Sequence, residues 1–490
     1  MLLKAGSTCW RVERADRATL LIDVENYLAA AKAMMLRASR SIHLLNWAFD
    51  PETRLDPESG GGGPPGDRIG PFLKTLARER PGLDIRILCW KSALPVSATQ
   101  GFFPHRAKAC FEGSPVRFLL DASVPMGACH HQKMLVVDDH VAFCGGADIA
   151  PNRWDTTRHR DDDTCREISP SSRKAFTSRH EVMVAVEGPA ASAPGDLFRE
   201  RWRRATGESL SAPIAGEASD AWPEDLAPLF RATTAGISRT APGWRGGKTV
   251  RENEGLHLAA IAGARRCIYL ENQYLTSPVV AEALAQRLSE PAGPEVVLIS
   301  TVRSPSWFDQ MTMDRTRTLF LRRLQAADHH GRLYAYVPFT TEGRIIIVHA
   351  KLSIIDDRLL RVGSANLNNR SLGFDTECDL SLEAGDDDRD AQIAIAGQRT
   401  RLLGHWLGCP DADVESAVAA AGGVGAGIER LRAAGRDRLR PLQPAPIGPL
   451  AGFIASYHLG DPTGPDDSWR PWKRRRALHA RLRDLHTSVA

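Results

Sequence analysis

The amino-acid sequence predicts an α/β fold with two similar α/β domains, each a mixed sheet flanked by helices, packed about a pseudo-twofold axis. Three observations lead to this prediction. Apolar strands alternate with helices of about 10–15 residues, the same order of elements occurs twice in the 490 residues, and the composition is that of a globular protein. With 43% hydrophobic and 25% charged residues, a mostly disordered, collagenous or coiled-coil chain is excluded.

Hydrophobic periodicity assigns the elements of the first half. Residues 24–39 have the period of a helix and lead into the apolar strand 41–49. A loop rich in Gly and Pro follows at 60–66. The next elements are a helix and three strands, at 69–80, 84–90, 116–120 and 134–137.

The second half repeats this order after a segment of small and polar residues. Its helices and strands alternate at 255–264, 267–275, 279–288, 295–301, 315–327 and 332–337, and a further strand follows at 352–355. We therefore predict a first domain at 1–208, a linker at 209–224, a second domain at 225–440, and a Pro-rich and basic C-terminal appendage at 441–490.

Charge and cysteine content restrict the partners and the compartment. The formal net charge is +4, too balanced for a protein that neutralises many phosphates along nucleic acid, so no nucleic-acid partner is expected. Neither an export signal nor a membrane-spanning apolar stretch is visible. The nine scattered cysteines are expected to be reduced thiols. We expect a cytoplasmic protein that can lie peripherally on the inner face of the membrane.

The repeat converges on two matching strings. His131 and Lys133 are followed after four residues by Asp138, and His349, Lys351 and Asp356 have the same spacing. Each string leads to a turn of small residues at the same offset, Gly145-Gly146-Ala147-Asp148 and Gly363-Ser364-Ala365-Asn366. One His-x-Lys arises often by chance, but two with equal spacing indicate catalysis, and the intact motifs disfavour a decayed enzyme.

Side chains two residues apart on a strand face the same side, so each half presents one imidazole and one ammonium together. If the halves pack face to face, two His and two Lys meet in a pocket that suits a phosphodiester. One neutral imidazole can attack phosphorus while the other, protonated, gives its proton to the leaving oxygen. The lysines would hold the non-bridging oxygens, so we expect neither a metal nor a cofactor.

Residues at the ends and turns of the motif strands receive supporting roles. Asp138 and Asp356 complete the His-Lys-Asp motifs, but at strand ends we expect them to be structural. The small residues Gly146 and Ser364 would let the backbone approach a phosphate closely.

Four further side chains are candidates to shape the pocket. Asp148 and Asn366 occupy equal offsets after the two motifs and could orient it. Glu181 and Glu377 each begin a later apolar strand and are candidates to fix an imidazole tautomer through its second nitrogen.

Other polar and aromatic clusters receive more ordinary interpretations. The pairs His130-His131 and His329-His330 lack further ligands at metal-site spacing, so His130 is treated as a pocket residue. The aromatic loops 101–105 and 304–308 could overhang the pocket, and the basic segment 470–476 could rest on anionic lipid. Ordinary loop packing and a solvated terminal helix are the alternatives.

The duplicated strings resemble the two HKD motifs of the phospholipase D superfamily. The turn at 145–149 with Arg153-Trp154-Asp155 is similar to a segment of the phosphatidylcholine-hydrolysing members, and residues 268–274, which include Asn272 and Gln273, resemble another. The sequence departs from many relatives at Arg179 and Glu181, where they carry Trp and Asp. These two differences bear on head-group preference.

The resemblance implies a metal-independent phosphodiesterase with a phosphohistidine intermediate, in which His131 is the nucleophile and His349 the general acid and then base. It implies hydrolysis of the distal phosphodiester of glycerophospholipids to phosphatidic acid and an alcohol. Transphosphatidylation follows where an alcohol replaces water as acceptor. Because both motifs lie in one chain, we expect a monomer.

Three alternatives remain at this stage. A cardiolipin synthase would use phosphatidylglycerol as the accepting alcohol, and a nuclease would apply the same catalytic core to nucleic acid. A non-enzymatic lipid-binding or scaffold protein would keep the fold and show no phenotype after His131→Ala.

Overall fold

The computed structural model describes residues 1–58, 66–92, 103–168, 174–213 and 222–489. Within these ranges the strands are β1 (Arg11–Ile22), β2 (Ser41–Asn46), β3 (Asp84–Trp90), β4 (Arg117–Asp121), β5 (Met134–Val137), β6 (Val141–Gly145), β7 (Arg179–His180), β8 (Val182–Glu187), β9 (Phe230–Ala241), β10 (Val250–Arg251), β11 (Cys267–Asn272), β12 (Glu295–Ile299), β13 (Leu333–Pro338), β14 (Ile347–Val348), β15 (Lys351–Ile355), β16 (Leu359–Gly363), β17 (Glu377–Glu383) and β18 (Leu439–Pro441).

The helices of the described residues cover the sheet and form the C-terminal segment. They are α1 (Asp23–Arg37), α2 (Ile69–Glu79), α3 (Phe103–Phe111), α4 (Pro189–Thr206), α5 (Glu252–Gly263), α6 (Pro278–Ser289), α7 (Trp307–Ala327), α8 (Asn369–Gly373), α9 (Arg389–Leu407), α10 (Asp411–Ala421), α11 (Val424–Ala433), α12 (Pro449–Ser456) and α13 (Pro471–Val489). Two short 3-10 turns lie at Pro151–Arg153 and Pro465–Asp467. The predicted α/β class is confirmed.

A single mixed sheet runs through both halves of the molecule. Its order is β18-β13-β12-β11-β15-β16-β17-β9-β1-β8-β6-β5-β2-β3-β4, and β10 pairs with β9. Reading outward from the centre, β9-β17-β16-β15-β11-β12-β13 repeats β1-β8-β6-β5-β2-β3-β4. This is the predicted pseudo-twofold repeat, but the halves share one sheet rather than having one each.

The two central strands, β1 and β9, are absent from the predicted elements. They pair antiparallel, with Val12 opposite Gly236. Charged residues and small residues interrupt the apolar pattern of both strands, so neither gives the strong hydrophobic signal of the strands around the motifs. Their burial comes from pairing at the middle of the sheet, which local sequence does not reveal.

Three apolar clusters fill the space between the sheet and the helices. One packs α1, α2 and α3 against the first half, and a second packs α5, α6 and α7 against the second half. The third spans both halves on the other side and includes the fully buried Trp202 of α4 and Trp406 of α9. The shared cluster stabilises the arrangement that brings the two motifs together.

The predicted domain boundaries can be compared with the strands of the sheet. The 209–224 linker lies between α4 and β9, and its residues 214–221 are outside the described residues. The boundary at 440–441 falls inside β18, which pairs with β13. At the other end of the chain, the backbone amides of Leu2 and Leu3 donate to Glu383 of the second half, at 2.6 and 3.0 Å.

The predictions about the cysteines and about membrane-spanning segments can be compared with the described residues. All nine cysteines are free thiols. No helix among the described residues combines the length and apolar character that a membrane crossing requires. Residues 60–65 of the predicted loop at 60–66 lie outside the described residues. The same holds for residues 101 and 102 of the predicted loop at 101–105.

Candidate active site

The motif histidines lie on extended segments immediately before β5 and β15. His131 donates its backbone N–H to Thr376 O at 2.9 Å, and His349 donates its backbone N–H to His180 O at 2.8 Å. Each motif segment is therefore joined by the backbone to a segment of the other half. The short parallel pair β7–β14 is part of this crossing.

Each motif imidazole meets a carboxylate from the other half. His131 Nδ1 lies 2.9 Å from Glu377 Oε2 and 3.0 Å from Ser364 O. His349 Nδ1 lies 2.5 Å from Glu181 Oε1. Burial raises the pKa of both carboxyl groups, to about 7 for Glu377. The sequence singled out both glutamates, and the structure shows that each serves the opposite motif.

The two lysines are almost fully buried beside the imidazoles. Lys133 Nζ donates to His131 O at 2.7 Å and lies 3.7 Å from Asp148 Oδ2. Lys351 Nζ is 3.1 Å from His349 Nδ1. Burial, with the nearby charge of Lys133, lowers the pKa of Lys351 to about 7. A concentrated positive charge thus faces the site.

This environment favours neutral imidazoles in the free protein. Burial and the charges of Lys133 and Lys351 hold the pKa of His131 well below its usual value, and burial and Lys351 do the same for His349. Both neighbours of His131 Nδ1 are acceptors, so Nδ1 carries the proton. The lone pair of His131 then lies on Nε2.

Two buried arginines extend the positive charge on the His349 side. Arg153 lies 3.6 Å from Asp148 Oδ2, and the Nε atoms of Arg153 and Arg179 have no hydrogen-bond partner. Both guanidinium groups contribute to lowering the pKa of His349. In the sequence, Arg153 and Arg179 stand out only as members of family-like strings. Their burial, which depends on tertiary packing, marks them as site residues.

The small-residue turns differ between the two halves. Ser364 Oγ donates to Glu377 Oε2 at 2.6 Å and thereby positions the partner of His131. At the equivalent position Gly146 has no side chain, and a methyl group there would lie 2.6 Å from Glu181 Oε2. Gly146 therefore provides space for a carboxylate, whereas Ser364 provides a hydrogen bond.

Asp148 and Asn366 lie at equal offsets but have different surroundings. Asp148 accepts the backbone N–H groups of Trp47 and Ala48, at 2.9 and 3.0 Å. Although burial opposes ionisation, Lys133 and Arg153 lower the pKa of Asp148. Asn366 is buried and its Oδ1 atom has no hydrogen-bond partner. Trp47, whose ring centroid is 6.4 Å from that of His131, is not among the site residues predicted from the sequence.

The remaining supporting candidates are also buried nearby. Asn272 Oδ1 accepts the backbone N–H groups of Tyr274 and Leu367, at 3.1 and 3.2 Å, and Gln273 follows it in the chain. His130 lies 3.0 Å from Thr376 Oγ1 through Nδ1 and 3.0 Å from Asp121 Oδ2 through Nε2. These contacts give Asn272 and His130 a part in holding the loops around the site.

Asp138 and Asp356 do not belong to the catalytic cluster in which their motifs group them. Each follows the far end of its motif strand, about 16 Å along the chain from the lysine. Asp138 accepts three backbone N–H groups of residues 39–41 at 2.7–2.8 Å, and Asp356 accepts three of residues 265–267 at 2.7–2.9 Å. Their carboxylates anchor the connections that precede β2 and β11.

The chain is similar to several known proteins. Residues 258–392 match a family model described as "Cardiolipin synthase, PLD-like domain". The chain is 25% identical to phospholipase D A of Dictyostelium discoideum, over 77% of this chain and 34% of that protein. It is 24% identical to phospholipase D alpha 1 of Oryza sativa subsp. japonica, over 74% of this chain and 58% of that protein.

These matches make the chain similar to proteins of the phospholipase D superfamily. A solved structure of phosphatidylserine synthase from Haemophilus influenzae Rd KW20 shares this fold, with a TM-score of 0.53 and 12% identity, over 98% of this chain and 96% of that one. The chain spans about a third to three fifths of the lengths of the two phospholipase D relatives just described. The similarity to these proteins supports the resemblance that the duplicated motifs indicated.

Proposed function

We propose that this protein is a phospholipase D that cleaves the distal phosphodiester of glycerophospholipids and forms a phosphohistidine intermediate. The observation that carries the proposal is the crossed pair of His–Glu contacts, His131–Glu377 and His349–Glu181, beside two buried lysines. The similarity to phospholipase D proteins over about three quarters of the chain supports the lipid substrate.

In the first step, His131 Nε2 attacks phosphorus and the bond to the head-group oxygen breaks. Glu377 and Ser364 O hold the proton on His131 Nδ1, so the reactive lone pair is on the opposite nitrogen. His349 donates its proton to the leaving oxygen, and the head group departs as an alcohol. The product on the protein is a phosphatidyl group bonded to His131.

In the second step, His349 acts as the base that it became in the first. It takes a proton from water or from an alcohol, whose oxygen attacks phosphorus and displaces His131 Nε2. Water gives phosphatidic acid, and an alcohol gives a new phosphatidyl ester. Hydrolysis and transphosphatidylation therefore share one intermediate.

Lys133, Lys351 and the two buried arginines are proposed to bind the substrate phosphate. The low pKa values of His349 and Lys351 arise partly from mutual repulsion among these cations. An anionic phosphate between them would reduce that repulsion and make protonation of His349 easier. Substrate binding would thus charge the general acid when it is needed.

We further propose that an apolar rim beside the site rests on the lipid surface. This apolar rim consists of Met126, Trp307, Phe308 and Trp469, which are 54–77% exposed. Trp307 and Phe308 begin α7, and Asp309 of the same turn accepts the Tyr274 hydroxyl at 2.9 Å, near the end of β11. Exposed basic residues of the predicted lipid-contacting tail follow Trp469.

The apolar rim leads to a direct binding test. Replacing Trp307 and Phe308 together with Ser should reduce sedimentation with phosphatidylcholine–phosphatidylglycerol vesicles, because less apolar surface would enter the interface. Ile393→Ser on α9 is the matched control, since Ile393 is 69% exposed. Equal loss of vesicle binding in the control, or none in the double variant, would remove the rim from the proposal.

Phosphatidyl transfer of the cardiolipin-synthase type is the second candidate function, and the description of the matching family model favours it. It requires the same intermediate with phosphatidylglycerol as acceptor. For either function we propose a monomeric protein at the inner face of the membrane. We also propose that its two domains are residues 1–208 and 225–440, as the sequence predicts. A nuclease would use the same groups on nucleic acid.

The deciding experiment offers the purified protein mixed vesicles of phosphatidylcholine, phosphatidylethanolamine and phosphatidylglycerol with a little ethanol. Mass spectrometry should detect phosphatidic acid and phosphatidylethanol with wild type and neither with His131→Ala. Cardiolipin as the main product would instead establish the second candidate. Absence of any lipid product, with cleavage of DNA, would contradict the proposal in favour of a nuclease.

A further inference from the structure

A second cluster of ionisable side chains lies outside the reaction site. Asp23, His159, His180 and His405 each offer one oxygen or ring nitrogen, and these four atoms lie within 4.8 Å of one another. The residues come from the start of α1, the loop after Pro151–Arg153, β7 and α9. The first three are fully buried and His405 is nearly so.

The separations within this cluster suit a tetrahedral metal site. Ligand bonds of about 2.0–2.1 Å place tetrahedral ligand atoms about 3.3 Å apart. His159 Nε2 lies 3.2 Å from His405 Nε2 and 3.5 Å from Asp23 Oδ2. Asp23 also approaches His405 Nε2 at 3.9 Å through Oδ2, and its other oxygen, Oδ1, lies 2.9 Å from His180 Nδ1.

The outward-facing nitrogens of two imidazoles are held by carboxylates. His159 Nδ1 is 2.9 Å from Asp155 Oδ2, and His180 Nε2 is 2.8 Å from Glu271 Oε2. The indole N–H of Trp406 donates to the other oxygen of Glu271 at 2.7 Å. Carboxylates in this position orient metal-binding histidines and fix which nitrogen faces the ion.

One oxygen at the centre of the cluster lacks a donor. Asp23 Oδ2 is buried without a hydrogen-bond partner, although two imidazole nitrogens face it at 3.5 and 3.9 Å. Asp23 also has a φ of +65°, a left-handed conformation that is uncommon for a residue other than glycine. A cation between these groups would satisfy the oxygen that hydrogen bonds leave open.

We infer that Asp23, His159, His180 and His405 bind one divalent transition-metal ion, for which Zn²⁺ is the best fit. Three imidazoles and one carboxylate form a tetrahedral nitrogen and oxygen set that zinc accepts readily. Because all four ligands come from the protein, the ion is structural and takes no part in the proposed phosphodiester chemistry.

The site has a structural connection to the reaction site. The carbonyl of His180 accepts the backbone N–H groups of His349 and Ala350, at 2.8 and 3.2 Å, and the next residue is Glu181. A metal bound to His180 would therefore fix both His349 and its carboxylate partner. His405 also lines a surface cavity of about 510 Å³, which brings solvent to one side of the cluster.

The first test measures metal content in the purified full-length protein. Elemental analysis should find about one zinc per chain in wild type and little in His405→Gln. His329→Gln, which removes one of an exposed histidine pair, should keep the wild-type content. Equal zinc in wild type and His405→Gln would overturn the assignment.

A second test does not depend on the folding of any variant. Wild type stripped by a chelator is titrated with Zn²⁺ and, separately, with Co²⁺. One equivalent of Zn²⁺ should raise the melting temperature, and Co²⁺ should give the intense visible absorption of tetrahedral coordination. If neither ion binds, the cluster is a proton-linked network in which His180 is shared by Asp23 and Glu271. Neither test uses lipid turnover, so failure of the proposed function would leave the result unaffected.

Discussion

The two halves of the reaction site have the same backbone plan but differ in the charged groups that surround the motif histidine. Near His131, Asp375 and Asp148 act to raise the imidazole pKa, although burial and the lysines prevail. Near His349, Arg153 and Arg179 join Lys351 and burial in lowering it. The two halves of the duplicated sheet therefore hold imidazoles with different charged neighbours. This difference suits the proposed roles, in which His131 attacks phosphorus and His349 becomes protonated when the anionic phosphate binds.

The largest expected effect separates the roles of the two histidines. His131→Ala and His349→Ala should each lower turnover of phosphatidylcholine by about 10³-fold or more. With a phosphatidyl p-nitrophenol substrate, the leaving group needs no general acid. His349→Ala should then release a burst of nitrophenolate, whereas His131→Ala should not. The opposite pattern of bursts would exchange the two roles.

The crossed glutamates should have the next largest effect. Glu377→Gln and Glu181→Gln should each lower kcat about 10²-fold, because the amide no longer stabilises the required imidazole state. Their substrate KM values should change little. The exposed Glu342→Gln serves as the control. A wild-type kcat in either buried variant would show that the corresponding contact has no part in the reaction.

Anion binding should depend on pH through Lys351. Its pKa is about 7 in the free site, so a rise in pH removes the proton and weakens binding of a phosphate analogue such as tungstate. The inhibition constant should increase by up to about tenfold per pH unit above 7. Lys351→Arg should flatten this profile because guanidinium stays charged. An inhibition constant that is constant from pH 6 to 9 in wild type would contradict this account.

The smallest effect on chemistry is expected at the strand-end aspartates. Asp138→Ala and Asp356→Ala each leave three backbone N–H groups without their acceptor, which should lower the free energy of unfolding by about 2–4 kcal/mol. Activity per folded molecule should remain near wild type. Urea unfolding with Asp386→Ala as the exposed control measures the first quantity. A large loss of kcat in fully folded protein would return these residues to the catalytic group.

The sequence revealed the parts of the site that are encoded locally. His131, Lys133, His349 and Lys351 could be found because a repeated spacing and a buried strand mark them. The exchange of Glu181 and Glu377 between halves could not, because their strands cross only in the folded sheet.

Other features were hidden for the same physical reason. The central strands β1 and β9 carry charged residues whose burial depends on long-range pairing. Asp23 and His405 approach each other across more than three quarters of the chain, so no local spacing predicts their cluster. Arg179 looked like a substitution in a family-like string, and only its burial beside His349 shows its electrostatic effect.

The most direct test of the account is to find the residue that carries the phosphatidyl group. His349→Asn is mixed with a short-chain phosphatidyl p-nitrophenol, quenched in alkali and digested with trypsin. The group should be found on peptide 118–133, and fragmentation should assign it to His131 rather than to His130. In wild type, the group on peptide 345–351, at His349, and absent from His131 would contradict the proposed division of roles.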